Sequence, residues 1–400
     1  MAPVLQQVPR LSFSFFCLYN VIDSSHQETL TMKVLTVANQ KGGVGKTYIS
    51  TQFAFYAHDR CGLRTAVIDV DAQHNTTNLL LRSNQNGTKR VKQSEISSAK
   101  FFSPKTQEKL KSPAPGDFSD FTVFASNRKE LLAVQLNTHQ DTEEDAFIAS
   151  VKALNEHFDI VIIDTAPNED IRSQSALGAC THVLAPLQIS SECLDGMQDF
   201  MDMINEAAPR NPDILDGFLG IIPNMFQQSN YQKKGIGEFI IQIGNLMLQT
   251  DNFFFLQDES GQLKRDEAGN LLMGKKHEFS VLSLHDTCKV AQDKAIPVWE
   301  VQNYATPASR EAKQAFWTII ERMVPDRKPV LNQAEINALM QARNKIGKFA
   351  DLAIRQFWMT DDPAFLPGVA VTSAQTIRDL RMKIPVSFLN LSLANQVPEI

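Results

Sequence analysis

The segment Asn39 to Thr47 reads NQKGGVGKT, and three aspartates, Asp69, Asp71 and Asp164, each follow or end a short apolar run. Together they suit one chemistry. Gly42, Gly43 and Gly45 let the chain curl so that successive N–H groups, Val44 among them, face inward, a concavity that fits phosphate oxygens. Lys46 adds a point charge for β- and γ-phosphates, the Thr47 hydroxyl is a hard oxygen donor suited to Mg2+, and Tyr48 still offers a backbone N–H to an α-phosphate. The carboxylates supply what a metal and an attacking water require. The expected ligand is Mg-ATP.

Such a loop works only between a strand and a helix, and the flanking sequence predicts both. Lys33 to Ala38 is a β-branched strand run, and Thr47 to His58 is helical in spacing. Further buried strands are expected at Thr65 to Val70, Phe158 to Ile163, His182 to Pro186 and Gly217 to Pro223, with a last core strand at Ile296 to Trp299. Ser190 to Ala207 and Ser309 to Met323 read as helices. Apolar strands alternating with helices predict an α/β fold, a doubly wound, mostly parallel sheet flanked by helices. In such sheets the strand-end aspartates converge on one crevice.

Two segments break the rhythm. Arg82 to Asp120 is rich in Ser, Asn, Pro and Lys and reads as an inserted, partly mobile loop, while the ESGQ and EAGN turns within Asp251 to Lys276 predict a protruding hairpin. The expected organisation is a tail over residues 1–31 that carries no assigned role, an ATPase domain over 32–325 with insertions near 82–120 and 251–276, and a helical extension over 326–400 that includes Ile346, Phe349, Ala350 and Ala353.

A formal charge of −6 argues against an all-basic surface, so any nucleic-acid contact must come from a local patch. Five scattered cysteines without CxxC spacing read as reduced thiols of the cytoplasm. The run Leu11 to Ile22 is too short for a membrane span and its flanks make a poor signal peptide. Cys180 and His182 read as core residues. No NKxD motif for guanine and no tyrosine cluster at the tail is present.

Gln40 stands where the standard loop has its first glycine, and a second lysine, Lys41, opens the loop. This resembles the deviant Walker A motif of the ParA/MinD family. DAQHNTT after the second strand, SALGACTHVLAPLQISSECLDGM, GFLGIIPNMFQQSN and PVWEVQNYATPASREAKQAF resemble later blocks of that family, so the likeness runs from about residue 33 to 325. It implies that Lys41 reaches the nucleotide of a partner subunit, that Asp164 holds Mg2+ through water beside Thr47, with Asp69 behind it at the metal site, and that Asp71 orients the attacking water. Lys41, Lys46 and Asp71 are then the catalytic set, and Asn224 contacts adenine.

Within the family the motifs are closer to ParA-type partition ATPases. That branch implies a homodimer, nonspecific DNA binding in the ATP form, a ParB-type centromere-binding partner, slow hydrolysis and a nucleoid-associated cytoplasmic location, without membrane contact. Lys233 and Lys234, with Lys89, Arg90 and Lys92, are the candidate DNA contacts. Alternatives are a positioner of a protein cargo and a membrane-associated MinD-like positioner, although the end, NLSLANQVPEI, lacks a basic amphipathic helix. Tyr48, Ala72, His74 and Ala166 depart from the family pattern without removing a ligand group.

Overall fold

The computed structural model describes residues 31–325, apart from 87–89, 137–139, 191–192, 228, 268, 270 and 302–305, together with Leu352, Ala353 and Gln356. The expectations placed on residues 1–30, on Lys89 and on most of 326–400 lie outside the described residues.

In chain order the elements are β1 Lys33–Val37, α1 Lys46–Phe55, β2 Thr65–Asp69, α2 Asn75–Arg82, β3 Lys92–Gln93, α3 Gln107–Lys111, β4 Phe121–Phe124, α4 Arg128–Gln135 and α5 Gln140–Lys152. There follow β5 Ile160–Asp164, α6 Ile171–Ala179, β6 His182–Leu187, α7 Cys193–Ala207, β7 Phe218–Phe226, α8 Asn230–Ile243, β8 Gln249–Phe255, β9 Met273–Phe279, β10 Leu282–Ser283, α9 Asp286–Lys294 and α10 Pro307–Met323.

Eight strands form one sheet in the order β10-β7-β6-β1-β5-β2-β4-β3. Every pairing in it is parallel. Its strands are apolar on both faces because both are covered. Leu35, Ile160 and Ile162 face α1 and α10, where Phe53, Trp299, Phe316 and Trp317 pack. Val34, Val161 and Ile163 face the opposite layer with Phe101, Phe147, Leu177 and Phe200. A one-residue slip in β5 would exchange these two sets, so the register is strongly fixed. Nine of the ten residues of α1 are buried, as suits a helix held between sheet and α10.

Two expectations are corrected by the structure and a third is met. Arg82 to Asp120 is packed rather than loose: Val91, Phe101, Phe102 and Leu110 are buried, and β3 pairs with β4 as the sheet edge. Composition concealed those few anchors. Ile296 to Trp299 is not a strand; Val298–Glu300 forms a single 3-10 turn after Ala295, which has φ +52°. Pro297 cannot donate to a ladder, and the Gln52 side chain takes the place of a strand neighbour, donating to Ile296 O at 3.1 Å and accepting from Val298 N at 2.7 Å. The edge strand on this side is instead β10. The hairpin expected within Asp251 to Lys276 is present as the antiparallel pair β8–β9, with turns closed by Gly261 N to Asp258 O and Gly269 N to Asp266 O. Among the described residues no helix is long and apolar enough to cross a membrane.

Candidate functional site: a phosphate loop backed by two buried aspartates

At the C-terminal end of β1 the chain turns through the loop 38–45 into α1. Asn39 fixes its start: its Nδ2 donates to Pro186 O at 2.7 Å, and its Oδ1 accepts from Lys41 N at 2.8 Å. Gln40, in the place of the usual glycine, donates to Asp199 O of α7 at 3.3 Å. Gly43 and Gly45 have φ of +77° and +87°, conformations that L side chains rarely adopt. Gly42 and Gly43 are exposed, whereas Val44 is buried and pins the loop to the core.

Lys46 is 7% exposed, and its Nζ donates to Asn39 O at 2.8 Å and Lys41 O at 3.3 Å. Burial lowers its pKa, with Asp164 and Asp71 pulling the other way. The ammonium thus sits inside the ring of loop carbonyls, ready to exchange them for phosphate oxygens. Lys41 lies on the rim, half-buried, with Nζ 3.4 Å from Ser190 Oγ.

The three aspartates differ in use. Asp164 is wholly buried and accepts from Thr47 Oγ1 at 3.1 Å, Ser50 Oγ at 2.7 Å and Thr76 Oγ1 at 2.6 Å. Burial raises its pKa, and those three hydroxyls oppose the rise. Asp69 stands opposite Asp164 in the β2–β5 register, and burial first, then the Asp164 charge, push its pKa up to about 8. Its Oδ2 accepts from Thr77 N at 2.9 Å and Thr77 Oγ1 at 2.7 Å, and its Oδ1 from Asp71 N at 3.1 Å. Asp69, expected behind Asp164 at the metal site, braces the following loop. Asp71 is half-buried on that loop, its Oδ1 accepting from Gln73 N at 2.9 Å.

Among the described residues no three His, Cys, Asp or Glu side chains converge as a metal cage. The donors present are the Thr47 hydroxyl and the Asp164 carboxylate, already 3.1 Å apart. They fit Mg2+, which takes one or two protein oxygens and completes its shell with water and phosphate. A cation there would also relieve the stacked carboxylates.

Asn224, expected at the base, is 3% exposed and lies under the loop, its Nδ2 donating to Val44 O at 2.8 Å. A Cβ on Gly45 would stand 2.1 Å from that nitrogen. The carboxamide supports the loop from below. Tyr48 points into the core at 7% exposure, with its hydroxyl 3.4 Å from Cys288 Sγ of α9. Burial raises that phenol well above its ordinary value.

The candidate DNA contacts do not form one patch. Arg90 is pinned by Asp59 at 3.3 Å and Glu300 at 3.0 Å and covers the Phe55 ring, which removes it from phosphate contact. Lys92 is on β3 at one end of the sheet, while exposed Lys233 and Lys234 begin α8 after β7, which is six places from β3 in the strand order. Cys180 is buried with its pKa pushed up to about 12, as a core thiol behaves, whereas His182, expected in the core, is only half-buried, and that burial lowers it to about 4.

Residues 32–215 match the family model described as an AAA domain. Protein IncC of Escherichia coli is 32% identical over 203 residues, covering 50% of this chain and 52% of its own length. The chromosome-partitioning ATPase Soj of Thermus thermophilus is 28% identical over 193 residues, covering 48% and 69% respectively. Over these residues the chain is similar to partition ATPases of the ParA type. The chain spans about half the length of the IncC relatives. In fold, a Cyanothece McdA solved in complex with ATP is similar, with a TM-score of 0.52 at 17% identity over 75% of this chain and 99% of that one. The segment matched to the AAA domain contains the phosphate loop, Asp69, Asp71 and Asp164; Asn224, Lys233 and Lys234 lie beyond it.

Sequence reasoning passed over Asn39, Ser50, Thr76, Thr77 and Ser126. Thr76 and Thr77 stand in the DAQHNTT block. The strand-end carboxylates could have flagged them, since buried carboxylates require donors.

Proposed function

We propose that the protein is a Mg-ATP-dependent dimerising ATPase whose ATP form binds nonspecific DNA and whose slow hydrolysis, stimulated by a ParB-type partner, releases it for plasmid or chromosome partition in the cytoplasm. The observation that carries this reading is the junction of β1 and α1, where the glycine loop, Lys46, and Thr47 bonded to Asp164 meet, with a second lysine on the rim. The loop amides, the N-terminus of α1 and Lys46 bind the β- and γ-phosphates. Thr47 and, through water, Asp164 would hold Mg2+, which would supply positive charge to neutralise the phosphates. Asp71 orients the attacking water.

In this reading Lys41 acts across a dimer. It stands half-buried at the rim of the loop rather than inside it, so its charge meets phosphate only when a second copy brings its own nucleotide there. A second cation on the transferring group is the kind of contact that accelerates phosphoryl transfer, which ties hydrolysis to dimerisation.

The test is sedimentation and DNA binding with ATP, ADP and no nucleotide. ATP alone should give a dimer that binds DNA. Lys46→Ala should abolish nucleotide binding, Lys41→Ala should keep ATP binding but lose hydrolysis, and Asp71→Ala should hold the dimer on DNA. Nucleotide binding with no DNA binding in any state would overturn the partition reading and leave the protein-cargo positioner or the membrane-associated positioner.

A further inference from the structure

The Asp71 loop is clamped by main-chain bonds at a point that no family motif marks. The carbonyl of Asp71 accepts from Ser126 Oγ at 2.6 Å and from His74 N at 2.9 Å, while the N–H of Asp71 donates to Asp69 Oδ1 at 3.1 Å. Thr77 joins the two sides: its Oγ1 donates to Asp69 Oδ2 at 2.7 Å and accepts from Ser126 N at 3.0 Å. Ser126 thus ties the loop to the C-terminal end of β4, the strand next to β2 on the side away from β5.

On the β4 side the loop borders a cleft of about 370 Å3, lined by His74, Asn78, Gln93, Ser94, Ser126 and Arg128 among others. Val70 and Ala72 pack into the core on either side of Asp71, and these hydrogen bonds fix the main chain of Asp71 between them. His74, at φ +47°, sits in a conformation that must be imposed by its surroundings.

We infer that Ser126 is a positioning residue for ATP hydrolysis, fixing the main chain of Asp71 so that its carboxylate meets the attacking water. The inference rests on the proposed role of Asp71 and deepens it. Ser126 touches neither phosphate nor water in this scheme. Its hydroxyl acts through the Asp71 carbonyl, as outer partners of a catalytic group commonly do.

The experiment compares single-turnover ATP hydrolysis and ATP affinity in wild type, Ser126→Ala, Ser126→Thr and Asp71→Ala. Ser126→Ala is expected to slow hydrolysis about tenfold while the ATP Kd stays within about twofold. Ser126→Thr restores the hydroxyl, and the half-buried site beside the cleft has room for its methyl group, so the rate should return. The inference is overturned if Asp71→Ala stops hydrolysis while Ser126→Ala leaves it unchanged. It is equally overturned if Ser126→Ala weakens ATP affinity as much as rate, or if Ser126→Thr fails to rescue while binding ATP normally. Should Asp71→Ala itself hydrolyse ATP at the wild-type rate, the reading of Asp71 fails and takes this inference with it.

Discussion

At the scale of single residues, the loop is shaped as much by what supports it from below as by its glycines. Gly45 has φ +87° and Asn224 Nδ2 would stand 2.1 Å from any Cβ added there. Gly45→Ala therefore strains the backbone and displaces the carboxamide that holds Val44 O. Strain of this kind costs about 1 to 3 kcal/mol, and ATP affinity measured by titration calorimetry is expected to fall by about tenfold or more. Unchanged affinity would mean that the Asn224 contact does not shape the binding-competent loop. The ligand types in this site were legible because glycines followed by Lys-Thr and strand-end aspartates are local patterns. Asn39, Ser50, Thr76 and Ser126 were not, since a hydroxyl or carboxamide gains its role only from the group that tertiary folding sets opposite it. Asp69 was legible as a buried carboxylate but not in its direction: its oxygens turn to Thr77 and Asp71 N.

At the scale of elements, strands with continuous apolar runs were read closely: β1, β2, β5, β6 and β7 each overlap the expected run. Both faces of the sheet are buried, which makes the pattern strong. Ile296 to Trp299 has the same apolar character yet lies where Pro297 interrupts pairing and Gln52 caps the free backbone groups. Gln52 is 2% exposed, so Gln52→Leu leaves the Ile296 carbonyl and Val298 N–H buried without that partner. Leaving buried groups unsatisfied costs about 1 to 3 kcal/mol each. Denaturant unfolding should show a stability loss of about 2 kcal/mol or more, with α9 and the turn after it released from α1. A shift under about 0.5 kcal/mol would show that water replaces the side chain. The segment 82–120 was misjudged for the opposite reason: its polar composition outweighed Phe101 and Phe102, whose rings pack on Phe147.

At the scale of the whole molecule, the candidate DNA contacts among the described residues are spread rather than gathered. Arg90 is locked in an ion-pair bracket, Lys92 lies at one end of the sheet, and Lys233 and Lys234 are exposed near the other, by the strand ends that carry the phosphate loop. Charge reversal of Lys233 and Lys234 is expected to weaken DNA binding by the ATP form and to lower the dependence of log K on log salt by about 2, one for each phosphate no longer neutralised. Reversal at Lys92 should change neither. An unaltered slope in the double variant would place the DNA surface elsewhere.

The strand order has a consequence for how this protein comes into being. β1 and β2, which carry the phosphate loop and the Asp71 loop, are not neighbours; β5 lies between them and pairs with both. Parallel pairings between segments so distant in sequence form late, because the intervening chain must first be closed into a loop. On the ribosome, the loop and its first two aspartates leave the exit tunnel long before Ile160–Asp164 is made. Until that strand arrives, a nascent chain can hold the complete NQKGGVGKT motif and still lack the carboxylate and the sheet that give the motif its shape.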